Sequence, residues 1–358
     1  MRKRRRLLLV SRNQFGYHTD MHKFAVGSRS HFDVSYLCWD YAKPLVVDGQ
    51  ISVIYVSRRG TKISRYLRFL KCAIAEARNG SFDIIFFTYF PGASLVKLFG
   101  QNRNWNFDIR TGPISTSRLR REFRRALLIL EARFFENISV ISSSLSQSLN
   151  LTDRNPHILP LGADIISASN KDWSEFRLLY VGTLELRNIH LTVRGLSRYI
   201  KAHPLHRIRG YTIIGTGAYQ EEEFLRRLVN KLDLADLVEI VGQLPHNKLA
   251  PYFDSHNVGI SFVPITPYFD HQPPTKIYEY MLSGLAVLAT NTSEIQKMVK
   301  NTPAILSDDS AGGFSDALEK LHKQSGRLDS EFLRNSALDN TWTNIVNHNL
   351  IPYIDSLL

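Results

Sequence analysis

The sequence predicts an α/β protein made of two doubly wound domains, each with a parallel sheet between layers of helices. Short apolar runs alternate with longer amphipathic stretches along the chain, which is typical of strand–helix–strand units. A length of 358 residues with 44% hydrophobic and 11% aromatic residues suits two domains of ordinary size. A polar, serine-rich segment at 165–174 separates the two alternating series. We therefore expect one domain over residues 1–165, a second over 166–340 and a terminal segment over 341–358.

In the first half, seven apolar runs predict strands and two long amphipathic stretches predict helices. The strands are expected at 7–11, 33–38, 52–56, 83–87, 105–109, 139–141 and 157–161, and the helices at 61–77 and 117–135. Ligands of such sheets meet the loops that follow the carboxyl ends of strands. The loop after the first strand contains Gly16 but lacks the full G-x-G-x-x-G pattern, so a plain turn and a ligand-binding loop are equally consistent with it.

Asp108 and Arg110 lie at the end of the fifth predicted strand. Because they are two residues apart, they point to the same side of that strand. One interpretation is an ion pair in which each satisfies the other. In the alternative they are catalytic residues, with Asp108 orienting an acceptor hydroxyl and Arg110 meeting a phosphate or acid group.

The excess positive charge lies entirely in the first half. The chain carries a net charge of +12, yet residues 1–170 hold 26 Lys and Arg against 12 Asp and Glu, whereas 171–358 hold 19 against 21. The helix predicted at 117–135 combines five arginines with an apolar stripe. The arginines are Arg118, Arg120, Arg121, Arg124 and Arg125, and the stripe is Leu119, Phe123, Ala126, Leu127 and Leu130.

A basic amphipathic helix of this kind can lie on an anionic membrane surface. The basic run at residues 2–6 favours this interpretation. The alternative is that the stripe packs on the sheet while the arginines are solvated. We expect no nucleic-acid partner, because no helix-turn-helix, RNP or zinc pattern accompanies the charge.

The cysteines and the apolar runs bear on location. Cys38 and Cys72 offer neither a disulfide framework nor a metal-binding spacing, which favours a reducing compartment. No apolar run has the length of a membrane span or of a signal peptide. The sequence therefore predicts a cytoplasmic protein, peripheral on the inner face of the membrane.

The most informative stretch of the second half is FDHQPPTKIYEYMLSGLAVLATNTSE, at 269–294. A proline-containing loop leads into a short helix that ends at Gly284, and a buried strand follows. Lys276 and Glu279 share one face of this helix. A helix start at the carboxyl end of a strand suits a phosphate, and a carboxylate one turn further in suits a ribose diol.

The pattern K-x-x-E-Y-M-x-x-G-x-x-V-x-A-T at 276–290 resembles the donor-site signature of the family-4 glycosyltransferases. This resemblance implies the retaining GT-B architecture: two Rossmann-like domains facing across a cleft, with a C-terminal helix that crosses back to the first domain. It covers residues 139–358 well and the first domain only in architecture. It also implies that the first domain takes the acceptor and that the second binds a nucleotide-diphosphate sugar; the basic helix of the first domain, as argued above, is what predicts that this domain faces the membrane.

The resemblance also implies roles for single residues. Glu279 would bind the ribose, and the diphosphate would be held by Gln272, Pro274, Thr275 and Lys276. His271 stands where the family usually has a second glutamate, so it either contacts the transferred sugar or weakens the site.

Further donor-site residues follow the other strands of the second half. Gly182 and Thr183 end the first strand; Thr183 takes the first place of the family's basic pair, and Arg187 takes the second. Gly215 shapes the donor crevice, and Gln243 with Leu244 belongs to the segment that contacts the nucleobase.

The sequence thus predicts a metal-independent glycosyltransferase that needs no cofactor besides its donor substrate. Catalysis would be electrostatic, with Arg187 and Lys276 stabilising the leaving diphosphate. The expected acceptor is a saccharide or a lipid-linked saccharide in surface polysaccharide synthesis. Two alternatives remain: a non-catalytic nucleotide- or glycan-binding partner protein of the same fold, and a nucleotide-sugar epimerase.

Overall fold

The computed structural model describes residues 4–101, 104–217 and 220–358, so residues 2 and 3 of the basic run lie outside the described residues. The chain divides into two compact units. The first unit is Met1–Gly162 with Trp342–Leu358, and the second unit is Ala163–Thr341. Each contains a parallel sheet whose strands alternate with helices. The prediction of two Rossmann-like α/β domains is confirmed.

In the described residues, the first unit has a seven-stranded sheet in the order β3-β2-β1-β4-β5-β6-β7. Its strands are β1 (Arg6–Val10), β2 (Asp33–Asp40), β3 (Ile51–Ser57), β4 (Ile84–Thr88), β5 (Trp105–Ile109), β6 (Asn137–Val140) and β7 (His157–Ile158). Its helices before the boundary are α1 (Thr19–Ser28), α2 (Lys62–Asn79), α3 (Ala93–Phe99), α4 (Arg118–Ala132) and α5 (Ser143–Ser148), with a 3-10 turn at Thr152–Arg154. β7 is shorter than predicted, although the Leu159 N–H beyond it still donates to the Val140 carbonyl oxygen of β6 at 2.9 Å.

The second unit has six strands among its described residues, in the order β10-β9-β8-β11-β12-β13. They are β8 (Phe176–Val181), β9 (Ile208–Ile214), β10 (Val238–Gly242), β11 (Val258–Ser261), β12 (Ala286–Thr290) and β13 (Ile305–Ser307). The helices are α6 (His190–Ala202), α7 (Glu221–Lys231), α8 (Ala250–Ser255), α9 (Lys276–Leu282), α10 (Ser293–Met298), α11 (Ala311–Gln324) and α12 (Ser330–Asn335), with 3-10 turns at His246–Lys248, Ser325–Arg327 and Leu338–Asn340.

The last residues of the chain complete the core of the first unit. They form α13 (Trp342–Ile345), a π-helical segment (Val346–Leu350) and α14 (Ile351–Ser356). The widened turn directly precedes Pro352, whose missing N–H removes one helical hydrogen bond. Trp342 packs edge-on against Phe24, with 6.0 Å between ring centroids, and Tyr353 Oη donates to Asn106 Oδ1 at 2.6 Å.

The strand order reverses between β1 and β4 in the first unit, and between β8 and β11 in the second. At such a point the connections leave to opposite sides, which opens a crevice at the carboxyl ends of the two strands. The loops after β8 and β11 are therefore the first place to look for a ligand site in the second unit. Among the described residues, none of the helices combines the length and the apolar character that crossing a bilayer requires.

Candidate functional site

A cavity of about 280 Å³ opens at the carboxyl ends of β8 and β11. The loop after β8 contributes Gly182, Thr183 and Arg187. The loop before α9 contributes Pro273, Pro274 and Thr275, and Lys276 is the first residue of α9. Tyr180 of β8 holds the loop after β8 in place, because its Oη donates to the Thr183 carbonyl oxygen at 2.6 Å. Three sequence-predicted phosphate ligands, Arg187, Thr275 and Lys276, thus line one cavity.

A second cavity of about 330 Å³ shares Gly182 and Thr183 with the first. It adds Gly215, Gln243 and Leu244, which the sequence assigned to the donor crevice and the base-contacting segment. Gly215 has a φ of 153°, and a Cβ there would collide with the Gly182 carbonyl oxygen. Only glycine allows the ends of β8 and β9 to meet this closely.

The buried aromatic ring of Tyr280 positions α9. Its hydroxyl accepts a hydrogen bond from the Val181 N–H at 2.9 Å, which ties the helix to the end of β8. The ring lies against Gly259 of β11, where any side chain would collide with it. The tyrosine of the E-Y-M pattern therefore fixes Lys276 and Glu279 relative to both strands that border the crevice.

Lys276 Nζ forms a hydrogen-bonded ion pair with Glu279 Oε2. Glu279 is only 6% exposed, whereas the side chain of Lys276 is 23% exposed and lines the cavity. The predicted ribose-binding carboxylate is thus paired with the predicted phosphate-binding lysine.

Arg187 is held differently, because its guanidinium lies over an aromatic ring. The Cζ atom lies 4.1 Å from the centroid of Phe269. Burial lowers the pKa of Arg187, but an arginine stays charged at any physiological pH. The residues on either side, Leu186 and Asn188, both have left-handed backbones, with φ values of 57° and 54°.

His271 and Gln272 lie in the loop before α9. The Nδ1 atom of His271 is 3.6 Å from a carboxylate oxygen of Asp270. That carboxylate also caps α10, because it accepts hydrogen bonds from the Ser293 N–H and hydroxyl at 2.8 and 2.7 Å. Gln272 Nε2 donates to the Tyr268 carbonyl oxygen at 2.5 Å, so its amide holds the loop itself.

The candidate residues of the first unit form an internal network. Arg110 Nε donates to Asp20 Oδ2 at 2.7 Å and lies 3.8 Å from Asp108 Oδ2. Asp108 is completely buried and accepts from the Ser139 hydroxyl at 2.7 Å. Burial raises the pKa of Asp108 to about 6, against the opposing effect of the Arg110 charge.

This arrangement is the ion pair, the first of the two interpretations of Asp108 and Arg110. The catalytic interpretation of Asp108 is wrong, because Asp108 has no accessible surface on which to orient an acceptor hydroxyl. Gly16 has a φ of 86° in a turn packed against Val46, which requires no ligand to explain it.

The surface of α4 differs from that expected of a helix packed on the sheet. Leu119, Phe123 and Leu130 are 85%, 71% and 51% exposed. The arginines Arg118, Arg120 and Arg124 are exposed as well, whereas Arg121 and Arg125 are partly buried. Arg125 donates to the Ser148 carbonyl oxygen at 2.7 Å. The alternative in which the stripe packs on the sheet is therefore wrong for these three residues.

Sequence reasoning missed two side chains that hold predicted residues in place. Phe269 contacts the guanidinium of Arg187, and Asp20 accepts a hydrogen bond from Arg110. Asp20 stands in the first turn of the helix after β1, at the edge where Arg110 ends β5. Because β4 lies between β1 and β5 in the sheet, no pattern of adjacent strands in the sequence pointed to Asp20 as the partner of Arg110. Within the described residues, no three His, Cys, Asp or Glu side chains group closely enough to hold a metal ion.

The comparisons with known proteins agree with this geometry. Residues 175–324 match the family model described as glycosyl transferases group 1. The chain is similar in structure to sucrose-phosphate synthase from Thermosynechococcus elongatus, with 16% identity and a TM-score of 0.77 over 99% of both chains. A search of curated proteins finds no match.

Two further similar structures come from Anabaena and Burkholderia vietnamiensis. HepE from Anabaena, in complex with UDP and glucose, is 12% identical with a TM-score of 0.72 over 98% of this chain and 100% of that one. The UDP-forming α,α-trehalose-phosphate synthase from Burkholderia vietnamiensis is 13% identical with a TM-score of 0.70 over 99% and 97% of the two chains. The family match lies within the second unit, in agreement with the resemblance of residues 276–290 to the family-4 enzymes, and the chain has the two-domain GT-B fold of these structures.

Proposed function

We propose that the protein is a retaining glycosyltransferase that moves a sugar from a nucleotide-diphosphate sugar to a saccharide or lipid-linked acceptor in surface polysaccharide synthesis. The observation that carries the donor assignment is the cavity at the β8/β11 crevice, which is lined by both Arg187 and Lys276. Two cations at a crevice of this kind favour a dianionic group such as a diphosphate. HepE, which has the same fold, was crystallised with UDP and with UDP-glucose, which makes UDP sugars the first donors to test.

The chemistry proposed for this site is electrostatic. Negative charge develops on the diphosphate as the bond to the sugar breaks, and fixed cations that face this charge lower the barrier. Arg187 and Lys276 would supply that positive charge without a metal ion. Glu279 would accept hydrogen bonds from the ribose hydroxyls, while Lys276 turns from Glu279 towards the diphosphate.

The donor assignment is tested by measuring thermal stability with UDP-, GDP-, ADP- and CMP-linked sugars. A ligand at a hundredfold its dissociation constant should stabilise the protein by about 2.7 kcal/mol. The Glu279→Ala variant should bind the same nucleotide more weakly by about 1–3 kcal/mol, the range for losing hydrogen bonds to a buried charge. Glu331→Ala, which removes an exposed carboxylate of the same unit, is the matched control.

Unchanged affinity in Glu279→Ala would contradict the ribose assignment. Incubation with the donor that binds and a panel of saccharide acceptors then measures transfer. Nucleotide binding without transfer or hydrolysis would favour a non-catalytic partner protein, and release of an isomerised nucleotide sugar would indicate an epimerase.

We also propose that the enzyme works on an anionic membrane surface, at its inner face. The exposed residues Leu119, Phe123 and Leu130 follow one another at helical spacing along α4, with exposed arginines on both sides. A helix with this pattern lies in the interface with its apolar side buried among the lipids and its cations near the headgroups.

The neighbouring helix α3 extends the apolar surface. Leu95, Leu98 and Phe99 are 44%, 61% and 52% exposed, and their spacing places them on one side of α3. Glu131 joins the two helices, because its carboxylate accepts hydrogen bonds from the Gly92 and Ser94 N–H groups at 2.5 and 2.7 Å. Exposed apolar residues on adjacent helices, framed by basic side chains, favour a lipid surface as the partner.

A further inference from the structure

The ring of Phe269 supports a charged group that belongs to a different loop. Arg187 comes from the loop between β8 and α6, whereas Phe269 comes from the loop between β11 and α9. The guanidinium lies 4.1 Å above the ring centroid, and Phe269 itself is 4% exposed. The two loops that form the crevice are therefore joined by this contact.

An aromatic face stabilises a guanidinium in a way that a carboxylate cannot. The ring attracts the cation through its negative face, which leaves the N–H groups at the edge of the guanidinium available. A carboxylate would accept hydrogen bonds from those same N–H groups and would compete with a phosphate for them. A stack of this kind suits an arginine that must be held in place and still bind an anion.

The backbone on both sides of the stack holds Phe269 and Arg187 in place. Phe269 N–H donates to the Thr266 carbonyl oxygen at 3.0 Å, and the next residue, Asp270, caps α10 through its carboxylate. The backbone on either side of Arg187 is left-handed at Leu186 and Asn188. Left-handed backbone at a residue other than glycine is strained and is retained where the surrounding structure specifies it.

We propose that Phe269 is a positioning residue that holds the Arg187 guanidinium at the diphosphate-binding end of the cavity. This inference rests on the proposed function in one respect, namely that Arg187 binds the diphosphate of the donor. Phe269 does not touch the diphosphate in this scheme. Phe269 determines where the Arg187 charge lies before the ligand binds. The Arg187 side chain therefore loses less conformational entropy on binding.

The test measures the binding of inorganic pyrophosphate, UDP, GDP and ADP by calorimetry. The proteins are the wild type, Arg187→Ala, Phe269→Leu, Phe269→Tyr and the double variant with Arg187→Ala and Phe269→Leu. Leucine keeps the site filled but removes the ring, whereas tyrosine keeps the ring. Thermal unfolding of each protein reports whether it is folded at the temperature of the binding measurement.

We expect Phe269→Leu to weaken pyrophosphate binding by about 3- to 30-fold, the range for a partly desolvated cation–π contact. Phe269→Tyr should stay within about twofold of the wild type, since its ring offers the same face. In the Arg187→Ala background, Phe269→Leu should have no further effect, because the residue it positions is gone. A role confined to packing would give neither the rescue by tyrosine nor this loss of effect.

Two results would overturn this inference and leave the proposed function intact. One is an equal loss of affinity from Phe269→Leu with and without Arg187. The other is a normal affinity in a folded Phe269→Leu protein when Arg187→Ala binds weakly. If the wild type binds neither pyrophosphate nor any of the nucleotides, the donor site of the proposed function fails first, and the inference fails with it.

Discussion

Arg110, which is buried, and Arg187, which is partly buried, both lie near the carboxyl ends of strands, but their surroundings are opposite. Arg110 lies between two carboxylates, 2.7 Å from Asp20 and 3.8 Å from Asp108. Arg187 lies on the ring of Phe269 and lines an open cavity. An arginine whose donors are used by carboxylates stabilises its own unit. One supported by an aromatic ring keeps its donors for a ligand.

The largest expected effect is on stability, in Arg110→Ala. Removing this arginine leaves Asp20 and Asp108 buried without their cation, and breaking a buried pair in this way costs about 3–5 kcal/mol. Urea unfolding, followed by circular dichroism, measures the loss. Arg124→Ala, which removes an exposed arginine of the same unit, is the control and should change stability by less than about 0.5 kcal/mol. A stable Arg110→Ala protein that has lost transferase activity would restore the catalytic interpretation.

The second effect concerns the pH dependence of stability in the first unit. Burial raises the pKa of Asp108 from its ordinary value of 3.8 to about 6, while Arg110, Asp20 and Tyr353 are the charged or titratable groups that face it. The folded protein therefore keeps this proton at pH values where the unfolded chain has lost it. Its contribution to stability is fully present below about pH 4 and is lost as the pH rises through about 6.

The Asp108→Asn variant removes this titration. Relative to the wild type, its free energy of unfolding should rise between pH 4 and pH 6.5, by at most about 3 kcal/mol. Urea unfolding at intervals of half a pH unit measures the difference. Asp153→Asn removes an exposed aspartate and should show no such rise. A constant difference across this range for Asp108→Asn would mean that Asp108 titrates normally.

The third effect tests the close approach of β8 and β9 in the proposed donor site. A methyl group in Gly215→Ala would collide with the Gly182 carbonyl oxygen, so one of the two loops must move. We expect a loss of stability of about 1–3 kcal/mol and weaker nucleotide binding. Gly210→Ala in β9 is the matched control, because the space around its Cβ is empty. Equal behaviour of the two variants would show that the loops adjust freely.

The smallest effect per residue concerns the basic surface of α4. Replacing Arg120 and Arg124 by glutamate should weaken binding to phosphatidylserine vesicles by about 1 kcal/mol or more per residue, because each cation near the surface contributes about that much. Vesicle sedimentation at low and physiological salt measures the affinity. Nucleotide binding in solution should be unchanged, since both residues belong to the other unit. Equal binding to neutral vesicles would contradict an electrostatic attachment.

The sequence was sufficient where local pattern determines structure. The alternation of apolar runs predicts both parallel sheets, and the K-x-x-E spacing correctly places Lys276 and Glu279 on one side of α9. The spacing of Asp108 and Arg110 likewise predicts that they point the same way. What it could not decide was whether they meet a ligand, since the deciding partner, Asp20, is 90 residues away along the chain from Arg110.

The sequence was also insufficient where exposure is decided by packing. The apolar stripe of α4 can be recognised from its period, but a buried stripe and an exposed one have the same period. Only the structure shows Leu119 and Phe123 exposed. The stack of Arg187 on Phe269 joins two loops whose conformations no local pattern specifies.

The return of the last residues to the first unit has a consequence for biosynthesis. The second unit, Ala163–Thr341, is continuous, so all of it is synthesised before Trp342 is added. The first unit cannot bury Phe24 beneath Trp342, or complete its core with Leu350 and Ile354, until translation has passed them. Its amino-terminal sheet, although synthesised first, is thus finished last. Premature termination after residue 341 would spare the unit that carries the proposed donor site and damage the unit encoded at the opposite end of the gene.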